Sequence, residues 1–284
     1  MQKRQTTVAI IGAGPSGIAC AQQCIRQGLE DVVLVESDRS GGLLYQANRI
    51  ENFPGLRDMS GREAVEEITD IIQDHNMEMM KARVSEMSLK KKSFESIMED
   101  GTILSSTYLV LATGTQPKTL NIPGEIYHPE WRDHTQEKVV VIGGGDAAYD
   151  YALRINDLGG EVIILQRGEP RALYALQVEV GQRNISVVKG EVSGCESNSD
   201  KYLVSHEEGT MECDTVVVAI GREPCIPKLD FHYKEVVFPS GATDVEGFYT
   251  TGSLILGGYR HASLAWGTGL ATAMDICKKD CQKM

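Results

Sequence analysis

Short apolar runs alternate with longer amphipathic segments along most of this chain. Six apolar runs have the length of strands buried on both faces, and they begin at residues 8, 32, 108, 139, 162 and 216. Four segments suit helices, namely 18–27, 61–75, 146–158 and 263–279. The second carries Val65, Ile68, Ile71 and Ile72 at a helical spacing. This alternation predicts parallel sheets covered by helices, which is the α/β class.

The segment 81–102 has a different pattern. Apolar and polar residues alternate weakly there, and Lys90-Lys91-Lys92 interrupts them. We expect a small β meander with the three lysines in an exposed turn.

The first apolar run ends in a glycine-rich turn. Gly12-Ala13-Gly14-Pro15-Ser16-Gly17 joins it to the helix candidate 18–27, and Glu36 closes the next run. In such a fingerprint the first glycine makes the tight turn, the second admits a pyrophosphate, and the third lets the helix pack on the strand. The diphosphate would lie at a helix N-terminus, and Glu36 would bind ribose hydroxyls. The expected site residues are Gly12, Gly14, Pro15, Ser16, Gly17 and Glu36.

A second fingerprint, Gly143-Gly144-Gly145-Asp146-Ala147-Ala148, follows the run at 139. Ala148 replaces the third glycine, which is a tolerated variant. The following strand ends in Gln166-Arg167, with Arg171 nearby, where an NAD-selective site would carry a carboxylate. Guanidinium groups pair with a 2′-phosphate, so NADPH is favoured over NADH; two solvated surface arginines are the alternative. The expected site residues are Gly143, Gly145, Asp146, Ala148, Arg167 and Arg171.

Composition and charge exclude several classes of function. With 284 residues, 42% hydrophobic and 24% charged, the chain has room for about two globular domains. The net charge of −12 argues against nucleic acid or an anionic membrane as the main partner. The apolar runs are too short to cross a bilayer, and the start of the chain shows no signal-peptide pattern. Seven cysteines without metal-ligand spacing favour a cytoplasmic protein without a metal site.

Two crossings between domains are expected. Gln116-Pro117 and Ile122-Pro123-Gly124 follow the strand at 108 and its glycine turn, and a return is expected near 227–233. We therefore predict a discontinuous first domain, 1–116 and 233–284, into which a second domain, 117–232, is inserted.

Further segments along the chain point to the same family as the two fingerprints do. These segments are Gly41-Gly42-Leu43-Leu44, Glu51-Asn52-Phe53-Pro54-Gly55, Ala112-Thr113-Gly114, Val218-Ala219-Ile220-Gly221, Tyr249-Thr250-Thr251-Gly252, Tyr259-Arg260-His261-Ala262 and Gly267-Thr268-Gly269. Over essentially its whole length the chain resembles the low-molecular-weight thioredoxin reductases and their flavoprotein relatives, within the pyridine nucleotide-disulfide oxidoreductase superfamily.

The resemblance implies two Rossmann-like domains, FAD in the domain 1–116 and 233–284, NADPH or NADH in the domain 117–232, and a homodimer. To the expected FAD site it adds Gly42, Leu43, Asn52, Ala112, Thr113, Gly114, Gly252, Ser253, His261 and Ala262. A helix entering after His261 would aim its N-terminal amides at the flavin and favour the anionic reduced form. Gly267 and Gly269 in that helix suggest close packing against cofactor or sheet; a helix that packs without touching flavin is the alternative.

The chain departs from the family where the Cys-x-x-Cys pair should lie. The matching stretch reads Ile126-Tyr127-His128-Pro129-Glu130-Trp131-Arg132-Asp133-His134. A direct dithiol relay at this place is impossible. Glu130 falls about where the family carries an acid, so proton transfer by Glu130 is one hypothesis, and His128 and His134 could titrate near neutrality. A solvated interdomain loop is the alternative.

Two further departures concern the nucleotides. Ser253 stands where the family places an aspartate on the flavin ribityl chain, and a neutral hydroxyl binds less strongly than a carboxylate. The family's paired arginines are represented only by Arg167 and a displaced Arg171.

The remaining cysteines are poor substitutes for the missing pair. Cys20 and Cys24, like Cys277 and Cys281, are four residues apart on expected helices, where the Cβ atoms point in parallel. We expect Cys20 and Cys24 to be small core residues facing the sheet, and the other two to lie near a frayed terminus.

Three functional hypotheses follow. The first is an oxidoreductase in which NAD(P)H reduces FAD and the electrons pass to a separate redox protein or small molecule. The second is a disulfide oxidoreductase whose dithiol comes from a partner or from Cys277 and Cys281. The third is a non-catalytic flavin-binding sensor or assembly partner. We predict the first.

Overall fold

The structure is a computed structural model that describes residues 3–53, 57–91, 93–129, 132–198 and 201–282. Contacts divide the chain into two units. The first unit comprises Met1–Tyr45, Ile50–Thr115 and Pro224–Met284, and the second comprises Gln46–Arg49 and Gln116–Glu223. Residues 224–232, which the sequence interpretation assigned to the inserted domain, thus group with the first unit, whereas residues 46–49 group with the second.

Six α-helices and a short 3₁₀ helix at Gly42–Gln46 occur among the described residues. They are α1 Pro15–Arg26, α2 Gly61–Asp74, α3 Asp146–Asp157, α4 Tyr174–Gln182, α5 Ser253–Leu256 and α6 Ala262–Cys281. The four helices expected from the sequence are confirmed as α1, α2, α3 and α6, whereas α4 and α5 were not expected.

Twenty strands occur among the described residues. They are β1 Lys3–Ile11, β2 Val32–Glu36, β3 Glu78–Lys81, β4 Val84–Lys90, β5 Ser93–Met98, β6 Ile103–Leu111, β7 Thr115–Pro117, β8 Glu125–Ile126, β9 Lys138–Ile142, β10 Glu161–Gln166, β11 Ser186–Lys189, β12 Val192–Asn198, β13 Lys201–His206, β14 Gly209–Cys213, β15 Thr215–Val218, β16 Arg222–Pro224, β17 Lys228–Leu229, β18 Val236–Val237, β19 Ala242–Thr243 and β20 Phe248–Thr250. The six expected strands are confirmed.

The first unit is built on a sheet with the order β17-β4-β5-β6-β1-β2-β3, and β20 also pairs with β6. Strand β1 is parallel to both β2 and β6, with Val8 opposite Val32 on one side and Tyr108 on the other. Val8 and Ile10 pack into the core with α1 and α6, while Ala9 and Ile11 pack on the opposite face around Phe94 and Phe248. Burial on both faces explains why β1 is a continuous apolar run.

The expected meander is confirmed in β4, β5 and β6, which pair antiparallel in sequence order. Lys90 and Lys91 are exposed at the first turn, and Lys91 has a φ of 43°. Lys92 lies outside the described residues.

Helices α1 and α6 pack closely in the first unit. A Cβ added to Gly269 would overlap the carbonyl oxygen of Ser16, so only a glycine allows α6 to approach the start of α1 this closely. Gly267 is exposed, with no atom within 4 Å of an added Cβ. The close packing expected for these glycines therefore holds for Gly269, against another helix rather than the sheet.

The second unit has a five-stranded parallel sheet of order β11-β10-β9-β15-β8 and an antiparallel sheet β12-β13-β14. Helix α3 covers the parallel sheet with buried Ala148, Ala152 and Ile155. Helix α4 buries only Val180. Strands β7 and β16 pair where the chain leaves and re-enters the first unit.

None of the described helices is long and apolar enough to span a membrane.

Candidate functional site

The first glycine-rich turn has the geometry that a dinucleotide requires. Gly12 has a φ of 108°, and an added Cβ would overlap the carbonyl oxygen of Ala112. A Cβ at Gly17 would overlap the carbonyl oxygen of Gly12, so the third glycine brings α1 against the turn. Gly14, by contrast, has no atom within 4 Å of an added Cβ. The open space at the second glycine is where a pyrophosphate approaches the backbone.

The start of α1 favours an anion in that space. Gly14 is the N-cap residue and offers no side-chain cap, and Pro15 occupies the first turn. The first helical hydrogen bond runs from the amide of Ile18 to the carbonyl of Gly14 at 3.1 Å. The amides of the first turn are therefore not capped by a side chain and fit phosphate oxygens.

Glu36 is fixed at the edge of the first turn. Its Oε2 accepts a hydrogen bond from the amide of Ala13 at 2.8 Å, and its Oε1 accepts one from the amide of Asp38 at 2.7 Å. A carboxylate oxygen can accept more than one hydrogen bond, so Glu36 retains acceptor capacity for ribose hydroxyls.

The 3₁₀ helix that carries Gly42 and Leu43 lies against the first turn. The amide of Gly41 donates to the carbonyl of Ala13 at 2.7 Å, and a Cβ at Gly42 would lie 3.3 Å from the Cα of Gly14. Leu43 is partly exposed. These two residues are thus brought to the same place as the fingerprint.

The Ala112-Thr113-Gly114 turn follows β6 at the same edge of the sheet. Ala112 donates to the carbonyl of Ile11 at 2.8 Å, and Thr251 donates to the carbonyl of Leu111 at 3.0 Å. The hydroxyl of Thr113 donates to the carbonyl of Cys225. The carboxyl ends of parallel strands form the ligand-binding edge of such sheets, and the expected residues therefore share that edge.

The remaining expected residues of the first unit lie around the starts of α1, α5 and α6. A Cβ at Gly252 would overlap the side chain of Ser16, and Ser253 begins α5. His261 is the N-cap residue of α6, which begins at Ala262, and it makes no side-chain cap. The side-chain amide nitrogen of Asn52 lies 2.9 Å from Nδ1 of His261.

The second glycine-rich turn repeats the geometry of the first. Gly143 has a φ of 149°, and an added Cβ would overlap the carbonyl oxygen of Ala219. Gly145 has no atom within 4 Å of an added Cβ and is the N-cap residue of α3, without a side-chain cap. The methyl group of Ala148 is buried, which shows why a small residue replaces the third glycine.

Gln166 is the last residue of β10, and its side chain packs against the second glycine-rich turn. It is buried, and its Oε1 accepts a hydrogen bond from the hydroxyl of Tyr149 at 3.0 Å. A Cβ at Gly144 would lie 3.2 Å from this oxygen. Gln166 is therefore engaged within the second unit, and the next residue, Arg167, is the first solvent-exposed side chain after the strand.

Arg167 and Arg171 lie on the loop between β10 and α4. The Arg167 side chain is 78% exposed and lies 3.7 Å from Glu191, which is a weak surface ion pair. The amide of Arg171 donates to the carbonyl of Gly144 at 2.6 Å, and Oδ1 of Asp146 accepts from the amide of Leu173 at 2.8 Å. The loop is thereby closed against the second turn.

A comparison with known families agrees with the two turns. The profile of the pyridine nucleotide-disulphide oxidoreductases matches residues 6–269. The chain belongs to this family. Its resemblance to the thioredoxin-reductase-like members is confirmed.

Individual relatives and solved structures agree with the family assignment. It is 22% identical over 302 residues to thioredoxin reductase of Helicobacter pylori, covering 94% of this chain and 96% of that protein. It is 27% identical over 297 residues to NADH dehydrogenase of Bacillus subtilis, but spans only 58% of that protein's length. The crystal structure of thioredoxin reductase from Lactococcus lactis in its FR conformation superposes with a TM-score of 0.86 at 21% identity, covering 98% of this chain and 99% of that one. The expected thioredoxin-reductase-like α/β fold with Rossmann-like units is confirmed.

His128, which could titrate near neutrality according to the sequence, lies in a partly buried environment. It is half-buried, and its Nδ1 lies 2.8 Å from the hydroxyl of Tyr151. Burial, aided by the positive charges of Arg222 and Arg154, lowers the pKa of His128 to about 4. Burial therefore favours the neutral form of His128, which the sequence alone does not show. His134 is buried 2.9 Å from Oε2 of Glu137, and Glu130 lies outside the described residues.

A buried polar cluster on α3 was missed by the sequence interpretation. Arg154 is fully buried and donates to the carbonyls of Gln46 at 3.0 Å and Pro129 at 2.5 Å. Asp150 accepts a hydrogen bond from the amide of Asn48 at 2.9 Å, and burial raises its pKa to about 6. These contacts explain why residues 46–49 group with the second unit.

The cysteines of this chain form no disulfide, and all seven are free. Cys20 and Cys24 are buried core residues, as expected. A hydrogen bond with Cys20, together with burial, raises the pKa of the Cys24 thiol, although the hydrogen bond with Cys277 acts in the opposite direction. The hydrogen bond with Cys24, together with burial, raises the pKa of Cys277. Cys277 therefore faces α1, while Cys281 is exposed. Protonated, buried thiols are poor nucleophiles, so Cys277 does not suit a redox pair with Cys281.

Within the described ranges, no group of three or more His, Cys, Asp and Glu side chains could hold a metal ion.

Proposed function

We propose that this chain binds FAD at the first glycine-rich turn and NADPH at the second, and passes electrons from the nicotinamide to a separate acceptor. The observation that carries the proposal is the repeated turn geometry. In each turn the second glycine, Gly14 or Gly145, faces open space at the start of an uncapped helix. Two such cradles fit two diphosphates.

The first turn is assigned to FAD because the resemblance places its contact residues there. The structure brings Glu36, Gly42, Thr113, Gly252 and the start of α6 into the first unit, which supports the assignment. Glu36 would bind the ribose, and the amides at the start of α1 would bind the diphosphate. The N-terminus of α6 would stabilise the negative charge of the reduced flavin ring. Bound FAD would supply hydride acceptance from a nicotinamide and electron release to an acceptor.

The second turn is assigned to NADPH rather than NADH. Gln166, the residue in the position of a ribose-binding carboxylate, is buried and bonded to Tyr149. The exposed side chains that follow in this loop are Arg167, Glu169 and Arg171, and Glu169 lies 2.8 Å from Nζ of Lys189. The two guanidinium groups match a 2′-phosphate.

The acceptor is proposed to be external because the chain carries no Cys-x-x-Cys pair. The one exposed thiol, Cys281, has no partner cysteine beside it on the surface, since Cys277 is buried. A redox protein or a small molecule would therefore take the electrons directly. As the resemblance also implies, we propose that the protein works as a homodimer.

Anaerobic stopped-flow absorbance tests the proposal. The FAD-loaded protein is mixed with NADPH and, separately, with NADH, and rapid bleaching of the flavin band is expected, faster with NADPH. A Gly145→Val variant should lose bleaching by both nucleotides because its side chain fills the second cradle, while dithionite still bleaches its flavin. Gly194→Val is the matched control, since Gly194 also faces open space in the second unit. Failure of both nucleotides to bleach wild-type flavin would overturn the proposal.

A further inference from the structure

The loop between β10 and α4 is held to the second glycine-rich turn at consecutive positions. The amide of Arg171 donates to the carbonyl of Gly144 at 2.6 Å. The methyl group of Ala172 is buried in the core of the second unit. The amide of Leu173 donates to Oδ1 of Asp146 at 2.8 Å. The backbone at Arg171 and at the two residues that follow it is therefore fixed.

Asp146 carries a negative charge directly beside the second phosphate cradle. It is the first residue of α3, next to Gly145, and its side chain is exposed. The positive end of the helix dipole stabilises a carboxylate there. A carboxylate is not a ligand for a diphosphate of the same sign of charge, and at this exposed position solvent screens the repulsion between them. Its Oδ1 is instead engaged by the loop, which gives the carboxylate a role other than contact with nucleotide.

We propose that Asp146 is a positioning residue for nucleotide selection, because its hydrogen bond to Leu173 fixes the loop that presents Arg171 to the 2′-phosphate of NADPH. This inference rests on the proposed function of the second turn. The sequence predicts that Asp146 touches the nucleotide, whereas its hydrogen bond to Leu173 supports an indirect role, through Arg171.

Arg171 is well suited to bind the 2′-phosphate. Its side chain is exposed, and no carboxylate of the described residues forms an ion pair with it, whereas Arg167 already lies near Glu191. An arginine with a fixed backbone loses less freedom when it binds a phosphate. Removing the bond from Asp146 would therefore weaken the interaction with the 2′-phosphate and leave the rest of the nucleotide site intact.

Calorimetric titration of the FAD-loaded protein with NADP⁺ and NAD⁺ tests this role, since the two ligands differ only in the 2′-phosphate. Asp146→Ala should weaken NADP⁺ binding about tenfold, the usual effect of one lost hydrogen bond, and change NAD⁺ binding less than about twofold. Asp146→Asn should bind NADP⁺ as wild type does, because the amide oxygen still accepts from Leu173. In an Arg171→Ala background, Asp146→Ala should cause no further loss.

The outcomes separate this inference from the proposed function. Equal weakening of NADP⁺ and NAD⁺ in Asp146→Ala would overturn the positioning role, and so would an Asp146→Asn variant that is as weak as Asp146→Ala. Unchanged NAD⁺ binding, together with an unchanged melting temperature, shows that Asp146→Ala is folded. A wild-type protein that binds neither ligand would overturn the proposed function itself, and the positioning role with it.

Discussion

The environment of one residue, His128, makes the stability of the folded chain depend on pH. Its pKa in the folded protein is about 4, below the ordinary histidine value of about 6.5. Between these values the unfolded chain binds a proton that the folded chain does not, so this contribution to stability is lost as the pH falls from 6.5 to 4. We expect wild type to lose roughly 1–2 kcal/mol more than His128→Gln over this range, after discounting for partial exposure. Urea unfolding of the FAD-free protein at several pH values measures the difference.

The comparison with the variant is needed because Asp150 acts in the opposite direction. Its raised pKa of about 6 means that the folded chain retains a proton which the unfolded chain has lost, so this contribution falls as the pH rises from about 4 to 6. His232→Gln, at an exposed position, is the control for loss of a histidine. Parallel pH profiles of wild type and His128→Gln would show that His128 is not held neutral by the fold.

Arg167 is the residue on which the nucleotide preference is most directly tested. Its side chain is exposed and its neighbour Glu191 is 3.7 Å away, so a 2′-phosphate has only a weak ion pair to displace. Arg167→Ala should raise the KM for NADPH about tenfold or more and the KM for NADH less than about twofold, since it removes a charge-assisted hydrogen bond. Steady-state kinetics with both nucleotides provide the measurement. Arg183→Ala, which removes an arginine at the end of α4, controls for net charge; equal effects of Arg167→Ala on both nucleotides would refute the assignment to the 2′-phosphate.

At the scale of elements, the contact between α1 and α6 depends on one glycine. A Cβ at Gly269 would overlap the carbonyl oxygen of Ser16, which belongs to the first turn of α1. Gly269→Ala must therefore push the helices apart, and we expect a loss of about 2 kcal/mol in the stability of the FAD-free protein, as for an overpacked core. Because Ser16 lies two residues after Gly14, in the first turn of α1, FAD binding should weaken as well. Urea unfolding and FAD titration measure the two effects.

The same helix supplies a matched control. Gly267 is exposed, and an added Cβ meets nothing within 4 Å. Gly267→Ala should leave the FAD-free protein as stable as wild type or stabilise it by up to about 1 kcal/mol through helix propensity. A Gly269→Ala protein as stable as Gly267→Ala would mean that α6 does not approach α1 as closely as described.

The sequence predicts some elements well because their own residues determine them. Strand β1 is apolar on both faces, and α2 begins with a capping box in which the amide of Glu63 donates to Oγ of Ser60 at 3.2 Å. Helix α4 could not be predicted, since it buries only Val180 and ends near Gly181, which leaves no apolar face. The short strands β8 and β17 exist only because a strand distant in sequence pairs with them.

The candidate site, like the fold, was predictable where neighbouring residues determine it and unpredictable where distant residues do. The glycine turns follow from local spacing, and their geometry agrees with it. The bonds that shape the second site join residues far apart: Tyr149 with Gln166 over 17 positions, Asp146 with Leu173 over 27, and Asn48 with Asp150 over 102. No sequence period specifies such pairs, so the roles of Tyr149 and Asp146 became visible only in the fold.

At the scale of the whole molecule, the open question is which group passes electrons from the flavin to the acceptor. A chain of this family without a Cys-x-x-Cys pair must use either other cysteines or none. Cys20, Cys24 and Cys277 are buried together between α1 and α6. The hydrogen bond with Cys20 and burial raise the pKa of Cys24, and the hydrogen bond with Cys24 and burial raise the pKa of Cys277. Cys281 alone of the C-terminal pair is exposed. The arrangement favours direct transfer to an external acceptor.

A Cys277→Ser, Cys281→Ser double variant tests that route. We expect the rate of flavin bleaching by NADPH to equal that of wild type, and the rates of oxygen and quinone reduction to stay within about twofold, since neither sulfur carries electrons under this hypothesis. Stopped-flow absorbance measures the first step, and oxygen uptake and quinone absorbance measure the second. Serine fits poorly among buried thiols, so the single variant Cys281→Ser, at an exposed position, separates a packing defect from a chemical one. If bleaching is retained while acceptor reduction is lost in both the double variant and Cys281→Ser, the electrons pass through the C-terminal thiol, and the disulfide hypothesis replaces direct transfer.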